Sequence, residues 1–146
     1  MIEIKTFDST FLAKDAFISL MQKVNTYFTP PLSASVDLVA YSGKLYNHAS
    51  ILVALENGEI VGLTAYYINN EAKQLYISLI CVDPSSQSRG IGGKMLKYLT
   101  ELSAKGYRSL ALEVRKSNMP AYQFYKKHEF LEKEDRGEKI LMVKTI

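Results

Sequence analysis

The chain has little of what stabilises or localises specialised folds. It contains one cysteine, Cys81, so no internal disulfide is available, and no Cys/His pairs at zinc-ligand spacing, which excludes a structural zinc site. A reducing compartment is the simplest setting for a lone thiol. Met1-Ile2-Glu3-Ile4-Lys5 lacks the positive-then-apolar layout of a secretion signal, and no apolar run approaches the roughly 18 residues of a membrane span. No membrane association is expected, and the expected location is cytoplasmic. Neither sign of charge dominates, with 18 Lys and Arg against 15 Asp and Glu. The net charge is +3, and the densest basic stretch, Lys126-Lys127-His128, runs straight into Glu129, Glu132, Glu134 and Asp135. Nucleic-acid binders concentrate their basic residues, so binding to nucleic acid is disfavoured. Repeats, low-complexity tracts and linkers are absent too.

What is present is an ordinary globular composition. With 146 residues, 47% hydrophobic and 23% charged, the chain can build one core, and a single domain over residues 1–146 is expected. Ile2 to Thr6 alternates like a strand. Thr10 to Val24 carries a helical apolar stripe that Thr29-Pro30-Pro31 stops. Ser35 to Tyr46 reads as a second helix. Asn57-Gly58 between two β-rich runs, 51–55 and 60–67, is a strong hairpin signal, because both turn residues tolerate positive φ. Asn69-Asn70-Glu71 turns the chain again into strand 75–82, completing an antiparallel meander.

The period then changes. Ile91, Met95, Leu96, Leu99 and Leu102 repeat at helical spacing up to Gly106. Strand 110–114 follows, then a helix opened by Ser117-Asn118 with Pro120 in its first turn, and a closing strand 140–143. The strand–helix–strand passage over 75–114 implies a parallel pair within a mixed sheet covered by helices. The class is α/β, or α+β by a stricter definition.

The chemistry points to the junction after Val82. There a short polar loop leads to Gly90-Ile91-Gly92-Gly93, which opens a helix. Free backbone N–H groups and the positive dipole end of a first helical turn attract anions, and glycines admit a phosphate closely. Arg89 adds a charged donor. A P-loop requires Gly where Ser88 stands and Ser or Thr where Met95 stands; a dinucleotide fingerprint requires Gly at Met95. Both fail. The plain alternative is a glycine-tolerant turn without a ligand.

Val82-Asp83-Pro84-x-x-Gln87-x-x-Gly90-Ile91-Gly92 resembles the acetyl-CoA motif of the GNAT superfamily of N-acetyltransferases. Leu112-Glu113-Val114-Arg115-x-x-Asn118-x-x-Ala121-x-x-Phe124-Tyr125 also resembles that family, nearest the bacterial enzymes that acetylate protein N-termini. The resemblance implies a mostly antiparallel mixed sheet with a central splayed parallel strand pair, and acetyl-CoA as co-substrate without a metal. It implies that backbone groups of Ile80, Cys81 and Val82 hold the pantetheine arm, that Gln87, Ser88, Arg89, Gly90, Ile91, Gly92 and Gly93 surround the pyrophosphate, and that Asn118 contacts the cofactor. The thioester is then expected between Val82 and the strand at 110–115. By the same resemblance Tyr125 protonates the leaving thiolate and Glu113 acts as general base. Read from the helix pattern alone, Tyr125 is a core aromatic on the 121–124–125–128 face, and the motif match is what turns it toward function; the other reading of Glu113 is a structural partner of Arg115 or a lysine.

Cys81, in an apolar strand without a neighbouring His, reads as a small core hydrophobe rather than a nucleophile. His48 and His128 stand isolated. One position departs from the family pattern: Glu129 replaces the usual Gly before Phe130, and must either adopt a left-handed conformation or change the turn. The acceptor is expected to be a small-molecule amine, because 26–41 carries a single charge, Asp37, among aromatic residues. A peptide or protein amine is the alternative, and a non-catalytic acyl-CoA-binding module the alternative of another class. Edge strands of this fold allow a homodimer.

Overall fold

The computed structural model describes residues 1–7, 11–28, 30–87 and 89–146. Its strands are β1 (Ile2–Phe7), β2 (Ser50–Glu56), β3 (Glu59–Asn69), β4 (Gln74–Val82), β5 (Ser109–Arg115), β6 (Leu131–Asp135) and β7 (Lys139–Thr145). Its helices are α1 (Lys14–Asn25), α2 (Leu38–His48), α3 (Ile91–Ser103) and α4 (Met119–Lys127), with 3-10 turns at Leu32–Ala34 and Pro84–Ser86. The strands form one sheet in the order β1-β2-β3-β4-β5-β7-β6. Its parallel pair, β4 with β5, registers Gln74–Ile77 against Ser109–Leu112. The mixed, mostly antiparallel sheet with four helices is the expected architecture. The chain divides into two compact units, Met1–Ala65 with Leu79–Met95, and Tyr66–Ser78 with Leu96–Ile146.

In the first unit β1 runs antiparallel to β2, from Ile2 opposite Glu56 to Phe7 opposite Ile51. Helix α1 buries Phe17, Met21 and Val24, the i, i+4, i+7 part of its apolar stripe. Phe7 gathers Phe11, Phe17 and Tyr46 at ring-centroid distances of 5.5, 5.6 and 6.1 Å, and the Tyr46 hydroxyl donates to the Leu12 carbonyl at 3.0 Å. The β2–β3 turn places Asn57 at φ 52 and Gly58 at φ 80, as an Asn-Gly hairpin requires. The helix expected from Thr10 begins at Lys14; Thr10 itself and Thr29 of the expected stop lie outside the described residues.

In the second unit β5 pairs antiparallel with β7 along its whole length, and β7 with β6 through a register shift between Glu132 and Glu134. The sequence does not announce β6. Every residue of Leu131-Glu132-Lys133-Glu134-Asp135 is exposed, so an edge strand without a buried face leaves no apolar alternation to read.

Helix α4 resolves the question posed by Glu129. Glu129 adopts φ 73, its N–H donates to the Lys126 carbonyl at 3.0 Å, and the Phe130 N–H reaches the Tyr125 carbonyl at 3.0 Å. These are the paired bonds of a Schellman motif, closed by ring contact between Phe130 and Tyr125 at 5.8 Å. Phe130 is fully buried and fixes the turn from the core side, so the chain accepts a strained side chain at the left-handed position. A left-handed L-residue costs about 1–2 kcal/mol, partly offset in any glycine replacement by about 0.4–1 kcal/mol of unfolded-state entropy. Glu129→Gly should therefore raise Tm by about 2 °C in thermal denaturation. A lower Tm would mean that the glutamate side chain contributes contacts outweighing the strain.

Candidate active site

The residues expected to surround the pyrophosphate lie in the first unit. Strand β4 alternates, with Leu79 and Cys81 buried and Ile80 and Val82 partly exposed. Cys81 thus faces the core, and burial pushes its thiol up to about 12, so it carries no thiolate near neutrality. Asp83 ends the strand. Its N–H donates to the Val61 carbonyl at 2.8 Å, and its carboxylate accepts from the Ser85 N–H at 3.0 Å and the Ser85 hydroxyl at 2.9 Å. This caps the turn at Pro84–Ser86. Gln87 reaches back toward the Val82 carbonyl through a long 3.5 Å contact.

Gly90 then takes φ 74, with open space where a Cβ would stand. The Lys94 N–H donates to the Gly90 carbonyl at 3.0 Å. The N–H groups of Ile91, Gly92 and Gly93 precede that bond in the first turn of α3 and have no intrahelical acceptor. Helix α3 reaches this position because Gly62 of β3 has no side chain. A Cβ there would meet Met95 Cε at 3.0 Å, and Ala54 Cβ and Ile91 Cγ2 at 3.2 Å. Glycine-flanked donors around an open turn fit a pyrophosphate. Arg89 lies beside them and forms a two-pronged ion pair with Glu56 at the end of β2, one bond being Nη1 to Oε1 at 2.6 Å and the other Nη2 to Oε2. Ser88 lies outside the described residues.

A second cluster adjoins Asp83. The Tyr27 hydroxyl donates to Asp83 Oδ2 at 3.3 Å, and Lys23 Nζ lies 3.8 Å from the same oxygen. Burial, then the Asp83 charge and hydrogen bond, push the Tyr27 phenol up to about 12. The Ser85 bonds, with the Tyr27 hydroxyl and Lys23 behind them, hold the Asp83 carboxyl below the usual carboxylate range. Sequence reasoning missed this triad, whose members lie as many as 60 positions apart (Lys23 and Asp83); the only local signal was Asp83 two residues before a potential capping partner, Ser85.

The expected acid, base and asparagine lie in the second unit. Asn118 is the N-cap of α4, its Oδ1 accepting from the Ala121 N–H at 3.2 Å. Tyr125 is half-buried on a helix that buries no residue fully, with its ring 5.4 Å from Phe124. Glu113 is also half-buried, and pairs with Arg136 at 3.1 Å rather than with Arg115 or a lysine. His128 packs on Phe124 at 4.6 Å, and burial with the nearby charges of Lys127 and Lys144 disfavours its protonation. Among the described residues no group of His, Cys, Asp and Glu could hold a metal ion, and no helix is long and apolar enough to cross a membrane.

Comparison with known proteins identifies the family and the fold. Residues 17–130 match the model of the Acetyltransferase (GNAT) family, and the chain belongs to that family. A Bacillus subtilis protein named as the uncharacterized N-acetyltransferase YhfO is 32% identical over 100 residues, covering 64% of this chain and 66% of that relative, just under two thirds of its length. The fold matches the PaiA N-acetyltransferase of Thermoplasma acidophilum, solved in complex with coenzyme A, with a TM-score of 0.78 at 16% identity over 100% of this chain and 99% of that one. It also matches the ribosomal-protein-S18-alanine N-acetyltransferase of Escherichia coli, with a TM-score of 0.75 at 22% identity over 100% and 94%.

Two outcomes follow from the local structure. Because its folded carboxyl is held low, ionised Asp83 contributes stability that is present above the ordinary carboxylate range of about 4 and lost as pH falls through its lowered value. Asp83→Asn should therefore lower the denaturation midpoint at neutral pH, with the gap narrowing in acid; a gap that widens below pH ~4 contradicts the assignment. Gly62→Val should destabilise by about 1–3 kcal/mol in urea unfolding, since the added methyls meet α3 and Ala54. A neutral result would mean that α3 is not seated by that contact.

Proposed function

We propose that the chain transfers an acetyl group from acetyl-CoA to a primary amine. The observation that carries this reading is the glycine-opened first turn of α3 directly after β4, with Gly90 at φ 74 and open space above it, in a chain of this family. In this reading the Ile80–Val82 backbone holds the pantetheine arm. The N–H groups from Gly90 to Gly93, with Gln87, Ser88 and Arg89, hold the pyrophosphate, and Asn118 offers its remaining amide donors to the cofactor. Arg89 then acts from its Glu56-anchored position, as a fixed charge beside the phosphates.

Acetyl-CoA supplies an acyl thioester, which a neutral amine attacks, forming the C–N bond as the C–S bond breaks. Glu113 accepts the proton that the amine loses. Tyr125 gives its phenolic proton to the departing sulfur. Half-burial of both side chains suits groups that must meet a substrate, unlike the full burial of a purely core aromatic.

The acceptor is a small-molecule amine. The segment from Thr26 to Tyr41 carries one charge, Asp37, and that carboxylate is committed to the Ala40 N–H at 3.1 Å as the cap of α2. Val36 and Val39 are exposed beside it. Such a surface offers no acidic patch for a polybasic peptide. A peptide or protein amine is the second reading, supported by Leu112-Glu113-Val114-Arg115 and the likeness to the Escherichia coli enzyme. The lone, buried thiol suits a reducing cytoplasm.

Free thiol released from acetyl-CoA in the presence of a panel of amines tests the proposal. At least one small amine should support turnover, and Tyr125→Phe should lower kcat about 100-fold without weakening CoA binding. Cofactor binding without thiol release from any amine would leave an acyl-CoA-binding module instead. Failure to bind CoA would defeat both.

A further inference from the structure

Beyond the residues that the family motifs single out, the turn between β6 and β7 sends one side chain onto the candidate base. Arg136 Nη1 donates to Glu113 Oε2 at 3.1 Å, and Arg136 Nε donates to Glu134 Oε1 at 3.0 Å. Two bonds from one planar guanidinium fix its plane as well as its place. We infer that Arg136 is a positioning residue for Glu113, holding one carboxylate oxygen so that the other is presented to the acceptor amine. This rests on the proposed function above.

The backbone around Arg136 is built for that task and does not need the Arg136 side chain to hold it. The Arg136 N–H donates to the Lys139 carbonyl at 2.8 Å, closing the turn, and Gly137 takes φ 84 while its N–H donates to Asp135 Oδ1 at 2.9 Å. Lys116, just past the end of β5, then lashes the turn twice. Its Nζ lies 2.8 and 2.7 Å from the two Asp135 oxygens, and its N–H reaches the Glu138 carbonyl at 2.9 Å. The β5–β7 ladder, with Glu113 opposite Leu141 and Arg115 opposite Lys139, sets the register between these groups.

The pair itself is asymmetric. Glu113 Oε2 is occupied, whereas Oε1 has no partner among the described residues. The Glu113 side chain is 26% exposed and the Arg136 side chain 39%, and an ion pair so accessible adds little to stability. Its effect is geometric. A glutamate has three side-chain torsions, and without the guanidinium its free oxygen samples several positions, most of them unproductive for taking a proton from a bound amine. The sequence offered Arg115 as the nearby partner; the guanidinium comes instead from 23 residues downstream, and Arg115 makes no ion pair among the described residues.

Steady-state kinetics on the full chain test this with Arg136→Gln, Arg136→Lys, Glu113→Gln and the Glu113→Gln/Arg136→Gln double variant. Arg136→Gln should lower kcat about 10- to 100-fold, with the KM for acetyl-CoA and the melting temperature unchanged, and Arg136→Lys should recover part of the loss. In the Glu113→Gln background the Arg136 change should add nothing, since Arg136 acts only through that carboxylate. Full additivity in the double variant, or a wild-type kcat for Arg136→Gln, overturns the inference while leaving acetyl transfer intact. A wild-type protein that binds acetyl-CoA yet acetylates no amine overturns the proposed function and this inference with it. Should Arg136→Gln melt early, Arg136→Lys in the two backgrounds carries the same comparison, and additivity there overturns the inference equally.

Discussion

The missing side chain at Gly62 is the constraint on which the seating of α3 against β3 depends. Because β3 carries no side chain there, Ile91 and Met95 fill space in which a Cβ would be crowded at 3.2 and 3.0 Å, and α3 begins close against the sheet. The first turn of α3 is thereby set directly after the capped end of β4, with only Asp83–Gly90 between. A longer or looser connection would leave the same N–H donors on a mobile helix end. Their dipole acts within one turn, so placement decides whether they serve as a site.

Charged groups then lock the loops around that frame rather than adding to its core. Arg89 ties the start of α3 to Glu56 of β2, Asp83 ties the end of β4 to Tyr27 beyond α1, and Lys116 and Arg136 tie the β6–β7 turn to β5. Accessible pairs of this kind contribute little net stability. Each joins residues far apart in the chain and holds a loop against a strand. Orientation is the use to which such polar contacts are best put.

How much of this could be read from the sequence varied with the range of the determining interactions. Local rules sufficed for the Asn57-Gly58 hairpin, the buried stripe of Ile91, Met95 and Leu99, and the placing of Cys81 in the core. Strand ends were misjudged by a few residues: the closing strand reads as 140–143 but extends over Lys139–Thr145, since ladder pairing with β5 carries polar ends along. Strand β6 was invisible, because its order comes from hydrogen bonds to β7 and none of its side chains is buried. The partners of Glu113, Asp83 and Arg89 were likewise illegible, each being decided by tertiary proximity between ordinary surface residues. Glu129 was recognised as a conflict, and only the bonds to Tyr125 and Lys126 show how the fold resolves it.

Under the proposed function the turn from Gly90 to Gly93 binds the pyrophosphate of CoA through its backbone. Hydrogen–deuterium exchange of these amides, with and without saturating CoA, is the deciding measurement. Protection concentrated on the amides from Gly90 to Gly93, with weaker protection at Ile80–Val82, is the expected result. Saturable CoA binding that leaves those amides exchanging at their free rate would contradict it, and would place the cofactor elsewhere on the molecule.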